Sequence, residues 1–155
     1  MLPSSTRPAR WIVPGYADFT GDLRAGLRAA DAALFTISAA DGVDGLTRML
    51  WEECAAVGTP RAVIVTKIDH QRGDFDEALA ACRSAFGDSV APLYLPVGDG
   101  QGGVRGLIGL LSQRFHDYSS GSRAETGIEP ADADRTEAAR KKFAGMLEFL
   151  ESEKV

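Results

Sequence analysis

The sequence predicts an α/β fold in which short buried strands alternate with helices. Two apolar runs, AALFTIS at 32–38 and RAVIVT at 61–66, have the length and residue types of strands that are buried on both faces. The segments around them carry apolar residues at helical spacing. This alternation is typical of a parallel sheet with helices packed on its faces.

The first two helices are predicted over 18–30 and 44–57. The apolar stripe of the first consists of Phe19, Leu23 and Leu27. The apolar side of the second consists of Leu46, Met49, Leu50 and Cys54. Gly58 and Pro60 then end that helix.

A third helix is predicted to begin at Asp74, which has Glu77 three residues on, as in a capping box. A third strand of the same sheet is predicted at 93–97, where Pro96 favours an edge or a strand end. Beyond it, the apolar residues of 104–115 fit a helix, although Gly106 and Gly109 weaken it.

The C-terminal part of the chain leaves one alternative open. A short helix followed by a strand over 114–118 fits as well as a single helix. Residues 119–131 are predicted to form a loop, since they are rich in Ser, Gly and charge. A last helix is predicted with Asp134 as its cap, and its apolar face consists of Phe143, Met146, Leu147 and Leu150.

Composition narrows the class of protein. The chain has 155 residues, about one domain, and its net charge of −5 argues against direct DNA binding. No apolar run is long enough to span a membrane, and residues 1–10 lack a signal-peptide core. Two cysteines in apolar helical stretches favour reduced, buried thiols. We therefore expect a cytoplasmic protein.

The strongest candidate for a site is Thr66-Lys67-Ile68-Asp69, which directly follows a predicted strand. The carboxyl end of a parallel strand is where α/β sheets bind ligands. The Asp69 carboxylate could accept hydrogen bonds from N1–H and the exocyclic amine of guanine, while the stem of Lys67 lies along the base. The alternative is a surface turn with a charged tip.

Two glycine-containing segments are weaker candidates. Gly15, between Pro14 and Tyr16, precedes a predicted helix and could bring its N–H to a terminal phosphate, or form a simple turn. The run Gly98–Gly103 imitates a dinucleotide-binding turn, but no strand with an acidic end comes after it, which favours a flexible connecting loop. No Cys/His spacing suggests a metal, and no G-x-x-x-x-G-K-[ST] phosphate loop occurs.

In order and spacing, these segments resemble the translational GTPases, specifically the elongation factor G-like group. Residues 14–19, PGYADF, are similar to the second switch, and the chain from 24 through Asp69 is similar to the segment next to that switch in elongation factor G. Gly73-Asp74-Phe75 and residues 95–98 match the insert of that factor's nucleotide domain. The resemblance implies a partial P-loop-GTPase-like parallel sheet with flanking helices, plus part of the insert.

The resemblance implies roles for single residues. Pro14 and Gly15 would lie at the γ-phosphate side, Tyr16 would occupy the position of the catalytic switch histidine, and Thr66, Lys67 and Asp69 would bind guanine. Thr66 stands where Asn is usual, and Ile12 stands where the family has the aspartate that helps to hold Mg²⁺. A phosphate loop, a first switch and that aspartate are missing from these 155 residues.

These observations lead to three hypotheses. The first is a fragment of an elongation factor G-like GTPase, with an arm at 1–11, a partial nucleotide domain and the start of the insert at 12–98, and the rest of the insert at 99–155. Its family binds GTP or GDP and acts on the ribosome, but alone this chain is expected to be inactive. The others are a protein-interaction module derived from that domain and an unrelated α/β binding protein. Unpaired strands predict self-association.

Overall fold

The computed structural model describes residue 12 and residues 20–152. The chain divides into two compact units, with boundaries after Phe35, Val43 and Ile64. Its helices and strands occur in this order: α1 Thr20–Ala29, β1 Ala33–Ser38, α2 Gly45–Ala56, β2 Arg61–Thr66, α3 Phe75–Phe86, β3 Tyr94–Gly98, β4 Val104–Gly109, β5 Arg114–Asp117, β6 Ala124–Thr126 and α4 Pro130–Ser152. The mixed α/β class predicted from the sequence is confirmed.

Strands β1 and β2 form a two-stranded parallel sheet. The amide of Ala33 donates to the Pro60 carbonyl at 2.8 Å, and six residues later Ala39 donates to Thr66 at 2.9 Å, so both strands run in the same direction. Their predicted positions, 32–38 and 61–66, are confirmed to within one residue.

In the first unit, α2 packs against the beginning of β1. Asp44 caps the helix by accepting a hydrogen bond from the Thr47 amide at 2.6 Å. Trp51 meets Phe35 edge to face, with ring centroids 5.2 Å apart, and Arg61 stacks over the same indole. The helix buries Leu50, Trp51 and Cys54, so the predicted inward position of Met49 is wrong: 38% of that residue is exposed.

In the second unit, a four-stranded antiparallel sheet has the order β3-β4-β5-β6. The expectation that 93–97 adds a strand to the parallel sheet is therefore wrong, although β3 is an edge strand, as Pro96 indicated. The core of the unit consists of Leu95, Ile108, Leu110 and Phe115.

The helix predicted over 104–115 is wrong, because β4 and the start of β5 occupy this segment as a hairpin. The alternative strand over 114–118 is confirmed by β5, but the short helix before it is not. A Cβ on Gly106 would lie 2.4 Å from the His116 carbonyl oxygen, so this glycine lets the two strands approach each other.

Two further expectations need correction. The stretch 119–131 contains the three-residue strand β6, so it is not only a loop. The last helix begins at Pro130, and Asp134 lies inside it instead of capping it. Proline is favoured in the first turn of a helix because its missing N–H would have no partner there.

Both cysteines are buried and unpaired, as the sequence predicts. Burial raises the pKa of the Cys54 and Cys82 thiols, which disfavours the reactive thiolate. No helix among the described residues is long and apolar enough to cross a membrane.

Candidate functional site

The candidate site lies in the second unit, where β1 and β2 end side by side. The Ala39 amide donates to the Thr66 carbonyl at 2.9 Å, and the Thr66 hydroxyl donates to the Ile37 carbonyl at 3.2 Å. Thr66 thereby bonds to the neighbouring strand through its backbone and its side chain. The loops after β1 and β2 consequently start from fixed positions at the same end of the sheet.

The loop after β2 turns back on itself within a few residues. Lys67 has a φ of 55°, in the left-handed region that non-glycine residues seldom adopt. Its carbonyl accepts from the His70 amide at 3.1 Å, and the His70 carbonyl accepts from the Gly73 amide at 2.7 Å. These bonds return the chain to the Lys67 backbone.

Gly73 closes this loop by direct contact. A Cβ at this position would lie 2.2 Å from the Lys67 carbonyl oxygen, a distance that no side chain can accommodate without displacing the backbone. The glycine is therefore needed for close packing of the two backbone segments. The next residue, Asp74, already caps α3, so the helix fixes the far end of the loop.

The loop after β1 contributes a charge partner. The Lys67 Nζ lies 3.2 Å from Asp41 Oδ2, and both side chains are more than half exposed. The Ser38 hydroxyl and then the Lys67 ammonium hold the pKa of the Asp41 carboxyl below its ordinary value. This carboxylate therefore stays charged at a pH where an isolated aspartate is partly protonated.

Asp69 lies at the exposed part of the loop. Within the described part of the chain, its carboxylate makes no hydrogen bond or ion pair, in contrast to Asp41. Both of its oxygens are available as acceptors for a ligand. An ionised acceptor forms hydrogen bonds about twice as strong as a neutral one.

The structure brings Thr66, Lys67 and Asp69 together on one loop. The other predicted site residues, Pro14, Gly15 and Tyr16, lie outside the described residues. Sequence reasoning missed Asp41 and the contact made by Gly73. The position of Asp41 just after a buried strand was the available signal, because the carboxyl ends of neighbouring parallel strands meet at one edge.

The glycine-rich run after β3 is a hairpin connection. Asp99 Oδ1 accepts from the amides of Gln101 and Gly103 at 2.7 and 2.9 Å, and β4 runs antiparallel to β3. A dinucleotide-binding turn leads from a strand into a helix, and here it leads into a strand. Among the described residues, no group of three or more His, Cys, Asp or Glu side chains is placed to hold a metal ion.

A Thr-Lys-Ile-Asp loop at the carboxyl end of a buried parallel strand, followed by a capped helix, is the arrangement of a nucleotide-binding α/β domain. Comparison with known proteins defines this class further. The family described as "Elongation factor Tu GTP binding domain" matches residues 13–151. The chain belongs to this family of elongation-factor GTP-binding domains.

Individual relatives agree with this assignment. The chain is 54% identical over 141 residues to proteins called "Elongation factor G-like protein" from two strains of Mycobacterium tuberculosis, CDC 1551 / Oshkosh and H37Rv; the match covers 90% of this chain and 19% of each relative. It is 24% identical over 135 residues to "Elongation factor G" of Mycoplasma pneumoniae, covering 87% of this chain and 20% of that one. The chain thus spans about a fifth of the length of these relatives.

The fold is also similar to a solved structure. A crystal structure of a protein from Thermus thermophilus matches with a TM-score of 0.76 and 36% sequence identity. That match covers 90% of this chain and 22% of the other. The likeness includes the predicted translational-GTPase architecture, which is thereby confirmed.

Proposed function

We propose that the chain is a piece of an elongation factor G-like translational GTPase in which the loop 66–69 recognises guanine. The observation that carries this proposal is the Asp69 carboxylate, exposed beside the ordered Lys67 and without a partner among the described residues. Asp69 would accept hydrogen bonds from N1–H and the exocyclic amine of guanine, a donor pair that adenine lacks. The aliphatic stem of Lys67 would lie along the face of the base.

The remaining assignments belong to the same proposal. Pro14 and Gly15 would contact the γ-phosphate side of GTP or GDP, and Tyr16 would occupy the place of the catalytic histidine. A tyrosine is a weak general base at neutral pH, so it would do no more than orient a water molecule. Residues 12–98 would form part of the nucleotide domain and the start of its insert, and 99–155 would continue the insert.

The proposal separates the full-length family from this chain. The longer proteins would hydrolyse GTP on the ribosome in the cytoplasm. These 155 residues contain no G-x-x-x-x-G-K-[ST] run, and an isoleucine stands at the position of the switch aspartate. We therefore propose base recognition with weak affinity, little support for Mg²⁺ and no significant GTP hydrolysis by the chain alone.

The test uses nuclear magnetic resonance titration of the ¹⁵N-labelled chain with guanosine 5′-monophosphate and with adenosine 5′-monophosphate. We expect the guanine nucleotide alone to shift the amide signals of the loop 66–73. Asp69→Ala should weaken the response about tenfold or more, since hydrogen bonds to a charged group contribute about 1.5–3 kcal/mol. Asp88→Ala, at another exposed aspartate, is the matched control and should change nothing. An equal response to adenosine 5′-monophosphate would exclude guanine recognition.

A second candidate function is a protein-interaction module that needs no nucleotide. The observation that favours it is a cleft between α3 and α4 in the second unit, lined by apolar and cationic side chains. A chain that binds its partner equally with and without nucleotide would support this function.

A further inference from the structure

The cleft between α3 and α4 has a volume of about 250 Å³ and an apolar floor. Its floor consists of Leu79, Ala91, Pro92, Leu95, Ala138 and Ala139. The two alanines on α4 keep the cleft open, because larger side chains there would fill it. Leu95 also belongs to the core cluster, so the floor is continuous with the packed interior of the unit.

The rim of the cleft is positively charged. Arg83, Arg135 and Lys142 surround the floor, and Asp76 is the one carboxylate among the lining residues. Arg135 Nη2 lies 3.8 Å from Asp76, a weak exposed pair, so this carboxylate neutralises only part of the rim. The local excess of positive charge contrasts with the net charge of −5 of the whole chain.

The two arginines are held in place by backbone carbonyls. Arg83 Nε donates to the Val90 carbonyl at 3.0 Å, and Arg135 Nη1 donates to the Pro96 carbonyl at 3.0 Å. Each guanidinium retains further N–H donors beyond these bonds. Because the side chains are already ordered, they lose less conformational entropy when a partner binds them.

Lys142 is the free cation of this rim. It is exposed on α4 and makes no ion pair or hydrogen bond with the described side chains, whereas its neighbour Lys141 lies 3.9 Å from Glu137 and outside the cleft. The rim therefore combines two oriented guanidinium groups with one ammonium group that can follow a ligand.

The size and chemistry of the cleft limit what can occupy it. Small-molecule sites usually measure about 300–1,000 Å³, so this cleft is better suited to a single apolar side chain of a peptide. Nucleic acid is disfavoured, because no aromatic side chain lines the floor for base stacking and the chain as a whole is acidic. A free phosphate would leave the apolar floor unused.

We propose that this cleft binds an acidic peptide segment of a partner protein. One large apolar side chain of the segment would enter the floor, and carboxylates on either side of it would pair with Arg83, Arg135 and Lys142. The proposal names the partner chemistry of the second candidate function and does not depend on guanine recognition by the loop 66–69. Loss of one activity leaves the other measurable on the same chain.

The test titrates the ¹⁵N-labelled chain with the acetylated octapeptide Glu-Asp-Glu-Leu-Phe-Glu-Asp-Glu. We expect saturable shifts confined to amides around the cleft, weaker binding at high salt, and loss of binding when Ser-Ser replaces Leu-Phe. Lys142→Glu should weaken binding about fivefold or more, because it replaces an attraction with a repulsion. Lys141→Glu is the matched control on the same helix and should stay within about twofold of wild type.

Several outcomes would overturn the proposal. They are equal effects of the two lysine variants, equal binding of the Ser-Ser peptide, shifts spread over other surfaces, and no binding at all. Tighter binding of an eight-nucleotide oligodeoxythymidylate at the same amides would also overturn it, in favour of a nucleic-acid surface. Both lysines are exposed, so neither substitution is expected to unfold the chain.

Discussion

Lys67 is the residue on which the candidate site depends most. Its left-handed φ of 55° is unfavourable for a residue with a side chain, and the surrounding hydrogen bonds and the Asp41 ion pair support it. Strained backbone held by its neighbours is common where a loop must present a side chain to a ligand. The geometry thus favours a functional loop over an ordinary turn.

Gly73→Ala tests whether the loop depends on close backbone packing. The added methyl group would lie 2.2 Å from the Lys67 carbonyl oxygen, so the loop must move. We expect a loss of about 1–3 kcal/mol in the free energy of unfolding, the usual range for overpacking. Urea denaturation measures this loss.

Gly45→Ala provides the control for that substitution. Gly45 begins α2, and a Cβ there would meet nothing within 4 Å. Alanine is the better helix former, so this variant should be as stable as wild type or slightly more stable. Equal stability of both variants would contradict the tight contact at Gly73.

Residues of the site could be predicted from the sequence only where they are contiguous. Thr66, Lys67 and Asp69 form one short motif next to a recognisable strand. Asp41 and Gly73 could not be assigned, because their roles depend on how two separate loops fold toward Lys67. A contact of this kind leaves no periodicity or fixed spacing in the sequence.

Among the helices and strands, α3 has the clearest local signal. Asp74 accepts a hydrogen bond from the Glu77 amide at 2.8 Å, as the capping-box pattern predicts, and Gly87 ends the helix with a φ of 103°. The same helix fixes the end of the candidate loop and forms one wall of the cationic cleft. Its stability therefore affects both proposed functions.

Asp74→Ala should remove the cap of α3. We expect the free energy of unfolding to fall by about 1 kcal/mol, the usual effect of losing an N-cap side chain. Denaturant unfolding followed by circular dichroism measures the change. Asp76→Ala, in the first turn of the same helix, makes no cap and should have the smaller effect. The opposite ranking would contradict the assigned cap.

The hairpin of β4 and β5 shows why local patterns can fail. Val104, Leu107, Ile108, Leu111 and Phe115 match helical spacing, yet Leu111 is 67% exposed while Ile108 and Phe115 are buried. Gly106 and Gly109 carried the opposing signal. They disfavour a helix and allow the close approach of the neighbouring chain that the structure contains.

For the whole molecule, the parallel sheet raises a question of coverage. Parallel sheets are usually covered on both faces, but Leu34 on β1 and Ile64 on β2 are 67% and 46% exposed. Both side chains belong to the first unit. Exposed apolar side chains on adjacent strands favour association with another chain.

We predict that the chain self-associates through this sheet face. Leu34→Lys should shift sedimentation toward the monomer, because it places a charge on the contact. Leu111→Lys is the control, since Leu111 is also 67% exposed but lies in the second unit. A wild-type chain that remains monomeric at all concentrations would contradict the prediction.

The central claim is that this chain recognises the guanine base without holding the phosphates. The most direct measurement is calorimetric titration with guanosine mono-, di- and triphosphate, together with an assay for phosphate release. The account predicts weak affinities that agree within about threefold among the three nucleotides, and no release. Micromolar or tighter binding of the triphosphate with turnover would contradict it.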